Sequence, residues 1–195
     1  MYRNYKYPKV NALPWMFSKS KKEVFQKYCT KAKGYFEYGC GGSTEAASKL
    51  LPHEHIHSVE SDPSWISKVK DSIPSIQFTY INIGPISEYG YPATETEREV
   101  WPTYNQAWTT VQHQSDLVLI DGRFRVACLL WICLNPKNVK WILFDDFKNR
   151  KQYFCVLEFI DIFEQADDLI VCKPKENIDI KKCTLLYNNY SYNPE

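Results

Sequence analysis

After residue 33, short apolar runs alternate with longer amphipathic stretches. Residues 34–38, 56–60, 76–81, 116–121 and 140–144 read as strands. Leu117-Val118-Leu119-Ile120 is apolar enough to be buried on both faces. Residues 43–51 predict a helix with Ser43 or Thr44 as N-cap and Ala46, Ala47, Leu50 and Leu51 facing the core. Pro63 opens a second helix, running to about Asp71, with Trp65, Ile66 and Val69 on one face. Residues 126–134 predict an apolar helix and 153–163 a further one. Residues 169–172 and 183–187 read as late strands. This alternation predicts an α/β domain with a mostly parallel sheet and one late antiparallel strand. Residues 84–115 break the rhythm. They are rich in Pro, Tyr, Trp and Glu, and so long a connection usually carries function.

Composition narrows the picture. With 195 residues, 44% of them hydrophobic and 24% charged, the chain can bury a core and is not disordered. A net charge of +1 gives no global case for nucleic-acid binding. No apolar run approaches the ~18–20 residues of a membrane span. The opening Met-Tyr-Arg-Asn-Tyr-Lys lacks a signal peptide's apolar core. Seven scattered cysteines then read as reduced thiols, and the expected compartment is cytoplasmic. Residues 1–33 carry nine Lys/Arg against the single acid Glu23, so the charge is uneven. This basic arm is expected to pack on a domain spanning 34–195. Leu13-Pro14-Trp15-Met16-Phe17 is too apolar for a free tail.

Of seven glycines, three fall within Gly39-Cys40-Gly41-Gly42, between a strand and a helix. Such a turn lets a ligand approach bare backbone at a helix start. A dinucleotide fingerprint wants Gly or Ala where Thr44 stands. Glu37, two residues before the first glycine, would repel a pyrophosphate but welcome an ammonium group. Glu60, at the end of the second strand, can accept hydrogen bonds from a ribose diol. A ligand with both an amino-acid ammonium and a ribose is S-adenosylmethionine.

Glu37-Tyr38-Gly39-Cys40-Gly41-Gly42-Ser43 resembles the first motif of the class I S-adenosylmethionine-dependent methyltransferases, and Val59-Glu60-Ser61-Asp62 their second. Together with Asn82–Pro85 and the run from Asp121 to Cys128, these blocks resemble a branch found in bacteria. A similar domain ends a multidomain chlorovirus protein that builds and methylates a capsid glycan. The resemblance implies a Rossmann-like fold with a seven-stranded sheet and helices on both faces. It implies a cofactor site at Glu37, Gly39, Gly41, Ser43, Thr44, Glu60, Ser61, Asn82, Ile83 and Asp121. The family usually has Asp where Asn82 stands, and Asn still accepts through its carbonyl.

Methyl transfer to a hydroxyl needs positioning and often a base. Asp121 ends the fourth strand, and Asp145 and Asp146 end the fifth, so all three are expected over the carboxyl edge of the sheet. Their spacing also resembles metal-dependent O-methyltransferases. It predicts Mg²⁺ or another divalent cation on Asp121, Asp145 and Asp146, with Asp121 or Asp146 alone as base being the alternative. Arg123 and Arg125 open a helix whose dipole they oppose. They are candidates to pair with these acids or to hold an acceptor oxygen. His53, His55 and His57 alternate but lack a partner at metal-ligand spacing. His113 is a loop histidine or a base. Tyr89, Tyr91, Trp101, Tyr104 and Trp108 suit either sugar stacking or a loop core.

The expected function is O-methylation of a sugar hydroxyl in a glycan, such as that of a deoxyhexose like rhamnose. The chain is then either free-standing or one domain of a longer glycosyltransferase chain. Methylation of a small metabolite or protein side chain, and a non-catalytic cofactor-binding module, stay open.

Overall fold

The computed structural model describes residues 13–195. The part of the basic arm before Leu13 lies outside the described residues. The elements run α1 (Lys19–Cys29), β1 (Tyr35–Tyr38), α2 (Gly42–Ser48), β2 (Ile56–Glu60), α3 (Pro63–Ser72) and β3 (Gln77–Tyr80). They continue with α4 (Trp101–Asn105), α5 (Ala107–Thr110), β4 (Leu117–Ile120), α6 (Arg125–Leu134), β5 (Trp141–Phe144), β6 (Ile160–Ala166), β7 (Leu169–Pro174) and α7 (Ile180–Tyr190). The seven strands form one sheet in the order β3-β2-β1-β4-β5-β7-β6. β1 to β5 are parallel to one another, and β7 is antiparallel to both β5 and β6. The chain reverses direction of travel across the sheet between β1 and β4, where such folds open a crevice.

Side chains alternate along each strand and so feed two cores. Phe36, Tyr38, Val118, Ile120, Ile142 and Phe144 pack with α4 to α7. Tyr35, Leu117, Leu119 and Leu143 pack with α1 to α3. Val24, Phe25, Tyr28 and Cys29 of α1 belong to this second core, as do Leu13 and Phe17. The described part of the arm is therefore built into the domain. Among the described residues, no helix is long and apolar enough to cross a membrane.

Three local expectations are corrected, and one open choice is decided. Residues 153–163 are not a helix: a 3-10 turn over Lys151–Val156 leads into the edge strand β6. The strand wins because Asp167-Asp168 makes a two-residue hairpin loop to β7, with Asp167 at φ 55. Residues 183–187 are helical, not extended. Asp179 caps α7 by accepting from the Lys182 N–H at 3.0 Å, and Cys183 and Tyr187, four apart, face the core. α2 is shorter than expected and its N-cap is Gly41, because Ser43 and Thr44 turn inward. In residues 84–115, Trp101, Tyr104 and Trp108 are 3%, 1% and 0% exposed and fill the core between sheet and helices. Tyr89 and Tyr91 are left as the aromatic rings of that group outside the core.

Candidate functional site

β1 carries the glycine turn to the carboxyl edge of the sheet. Gly39 has φ +88, and a Cβ there would lie 2.9 Å from Gly122 Cα. Left-handed backbone and close approach both demand glycine. A Cβ at Gly42 would land on Trp15, so the arm seats directly on the start of α2. The Leu13 N–H, donating to Glu45 Oε2 at 3.0 Å, ties it down.

Glu37 is fully buried. The hydroxyls of Tyr35 at 2.7 Å and Ser43 at 2.9 Å, and those of Thr44 and Ser58, all donate to its carboxylate. Thr44 Oγ1 also accepts the Gly41 N–H at 2.8 Å. Burial pushes the Glu37 carboxyl up to about 6, and the four hydroxyls hold it from rising further. Glu37 is an internal brace for the turn, and Ser43 and Thr44 are committed to it.

Glu60 sits at the end of β2. Its Oε2 accepts from the Cys40 N–H at 3.1 Å, and its Oε1 from the N–H groups of Ser61 at 2.6 Å and Asp62 at 3.0 Å. Burial raises its carboxyl while these bonds oppose the rise. The Ser61 hydroxyl adds a longer bond to Oε1 at 3.4 Å, and Oε2, with one donor, keeps acceptor capacity for a ligand. Asn82 is exposed just past β3, its Oδ1 accepting from the Gly84 N–H at 3.1 Å. Ser61 and Ile83 are buried. The Ile83 carbonyl accepts from Trp101 Nε1 at 2.9 Å, so Ile83 supports the wall.

Across the crevice, Asp121 follows β4 and keeps about a third of its side chain exposed, at 34%. Arg125 Nη2 lies 2.9 Å from its Oδ1. Desolvation pushes the Asp121 carboxyl up to about 7, Arg125 opposes this, and Asp145 and Asp146 add repulsion. Arg125 is saturated. Its Nη1 donates to the Asp145 carbonyl and Asp146 Oδ2, its Nη2 to the Asp121 carbonyl, and its Nε to the Gly122 carbonyl. Arg150 Nη2 also donates to Asp146 Oδ2, at 3.1 Å. Arg123 is buried and its guanidinium lies 4.1 Å from the centre of the Tyr91 ring.

The expected metal trio does not form one ligand set. Asp145 pairs with Lys21, while Asp146, at φ 59, pairs with Arg125 and Arg150. Among the described residues, the acids whose oxygens lie within 4.8 Å of one another are Asp145, Asp146 and Asp168. Lys21 of α1 sits between two of them, with Nζ 2.8 Å from Asp145 Oδ1 and in contact with Asp168 Oδ1. Asp146 belongs to Arg125 and Arg150. A hard divalent ion needs free carboxylate oxygens at short range. Here the protein's own ammonium and guanidinium groups neutralise those oxygens, so the donor set does not fit Mg²⁺.

The histidines lie elsewhere. His57 Nε2 is 2.8 Å from Thr79 Oγ1, Nδ1 is 3.2 Å from Gln77 Oε1, and the ring stacks on Phe36. His113 is wedged between Phe36 and Trp108, and burial pushes it down to about 4. Both line a cavity of about 470 Å³ at the opposite edge of the sheet, so neither serves the crevice. Lys21, Arg150 and Asp168 were not candidates from the sequence. Arg150, four residues after Asp146, carried a local signal. The other two meet only through the fold.

No protein-family model matches the chain, and no curated protein matches it. Among solved structures, it is similar to a methyltransferase-like protein from Silicibacter pomeroyi DSS-3. The two are 24% identical, with a TM-score of 0.82 over 95% of this chain and 100% of that one. At that identity the likeness establishes the fold: an α/β, methyltransferase-like Rossmann fold with a seven-stranded, mostly parallel sheet.

Proposed function

We propose that this chain is an S-adenosylmethionine-dependent O-methyltransferase acting on a sugar or comparable polyol hydroxyl. One observation carries the reading. The glycine turn of β1 touches the backbone of Asp121-Gly122 at the switch point, so the expected cofactor cradle and a carboxyl near neutral pKa share one crevice. The Gly39–Gly41 backbone, Glu60 and Asn82 would hold the cofactor, Glu60 at the ribose and Asn82 at the adenine. When bound, S-adenosylmethionine supplies an electrophilic methyl group to an acceptor oxygen. Asp121 takes the hydroxyl proton, because desolvation and the neighbouring Asp145 and Asp146 raise its carboxyl and make it a stronger proton acceptor. Arg125 orients Asp121 through its 2.9 Å ion pair. Residues 34–195 form the catalytic domain, and the arm closes over its glycine turn through Trp15. The sugar assignment is supported by the resemblance to a glycan-methylating domain and by Tyr89 and Tyr91 at the rim.

The test is incubation with S-adenosylmethionine and a panel of hydroxylated acceptors, read by mass spectrometry for a product heavier by one methylene. Transfer by the wild type, slowed about 10²-fold in Asp121→Asn, supports the reading. Equal transfer by both removes Asp121 as base.

A further inference from the structure

The crevice holds two arginines two residues apart that differ completely in their partners. Every nitrogen of Arg125 has an acceptor. Arg123 is 7% exposed, yet its Nε and Nη1 are buried with no hydrogen-bond partner among the described residues. The nearby acids are committed, Asp121 and Asp146 to Arg125, and Asp146 and Glu195 to Arg150. The Arg123 guanidinium lies over the Tyr91 ring, 4.1 Å from its centre. A cation–π contact returns less than a desolvated, unpaired cation costs. A second group nearby is in the same condition. The Tyr153 hydroxyl is fully buried without a partner. Burial raises it, and the charges of Arg125, Arg150 and Arg123 pull it back down. The first N–H groups at the start of α6 do not provide an alternative seat, because the Pro194 and Glu195 carbonyls accept from Phe124 and Arg125 there.

We propose that the acceptor carries an oxyanion, a carboxylate or phosphate, received by the buried guanidinium of Arg123. A planar guanidinium matches two oxygens of such a group at once. A neutral hydroxyl would leave the cation uncompensated. This rests on the methyltransferase reading above, and it makes Arg123 the residue that selects the acceptor.

The experiment is calorimetric titration of the S-adenosylhomocysteine-saturated protein with glucose, glucuronate, glucose 6-phosphate, acetate and inorganic phosphate. Wild type, Arg123→Gln and Arg123→Lys are compared. The charged sugars should bind at least about tenfold tighter than glucose. Whichever of the carboxylate and phosphate arms binds tighter identifies the anion. Arg123→Gln should erase the preference and leave S-adenosylhomocysteine binding unchanged. Arg123→Lys, which keeps charge but loses the fork, should retain part of it. Thermal unfolding gives a readout independent of any acceptor. Removing an uncompensated buried cation should hold or raise the melting temperature of the free protein, whereas a structural arginine would lower it. Equal binding of glucose and the charged probes, unchanged preference in Arg123→Gln, or a lowered melting temperature in that variant overturns the proposal. Failure of S-adenosylhomocysteine to bind the wild type overturns the methyltransferase reading instead.

Discussion

The two sides of the crevice satisfy their carboxylates by opposite means. On the β1–β2 side, Glu37 is held by four hydroxyls and Glu60 by three backbone N–H groups, all neutral donors. On the β4–β5 side, Asp121, Asp145 and Asp146 are held by Arg125, Arg150 and Lys21, all cations. Neutral donors fix a carboxylate without cancelling its charge, so the first side keeps a negative field suited to a cationic methyl donor. Cations cancel the acids of the second side and leave Arg123 in excess. The donor and acceptor halves thus differ in field as well as in shape.

Breaking the neutral side should cost most. Glu37→Ala leaves four hydroxyls without their acceptor and opens a cavity, which should destabilise by about 4 kcal/mol in chemical unfolding. Glu37→Gln should cost less, since it keeps the volume. A loss below about 1 kcal/mol for Glu37→Ala would show that the brace is not structural.

On the cationic side, Lys21→Met strands Asp145 and Asp168 as adjacent buried acids. A loss of about 3 kcal/mol is expected. Mn²⁺ should bind the variant and raise its melting temperature, with no such effect on the wild type. Equal Mn²⁺ stabilisation of both proteins would contradict the view that Lys21 replaces a metal.

Asp121→Asn should lower kcat/KM by about 10²-fold. In the wild type, kcat/KM should rise as pH passes through about 7, because the base works deprotonated and its carboxyl is pushed up to about 7. A pH profile flat between pH 6 and pH 8, values roughly one unit on either side of that point, would exclude this role.

The smallest effect lies away from the crevice. His113 is held neutral, pushed down to about 4 from the ordinary 6.5. The unfolded chain binds the extra proton between those values. The His113 contribution is therefore complete above pH 6.5 and lost as pH falls toward 4. The stability gap between wild type and His113→Gln should narrow over that window. A gap that stays constant would mean that His113 does not titrate there.

Much of this comparison was legible in the chain. The parallel strands read correctly because buried strands are short runs of Leu, Val, Ile, Tyr and Phe, and the glycine turn marks the end of β1. What failed had local causes. Residues 183–187 are apolar enough for either element, and the Asp179 cap that decided for a helix went unread. The β6 edge strand lacks a clean alternation because a bulge falls between Ile162 and Glu164. Trp101, Tyr104 and Trp108 are three and four residues apart, the spacing of a helix face, which signalled core. Asp121 and Asp146 were identified at the right edge of the sheet. Asp121 stays outside the group that Asp145 and Asp146 form with Asp168, and the cations that pair with those two acids come from α1, α6 and the segment after β5. No sequence spacing brings Lys21 to Asp145 and Asp168, since that meeting depends on α1 packing across the sheet.

The central claim is that the glycine-turn side binds S-adenosylmethionine. Calorimetric titration with S-adenosylhomocysteine tests it most directly, on wild type, Glu60→Gln and Asp121→Asn. The account predicts binding in the micromolar range, at least about tenfold weaker in Glu60→Gln and unchanged in Asp121→Asn. No binding by the folded wild type, or equal binding by all three, would contradict it.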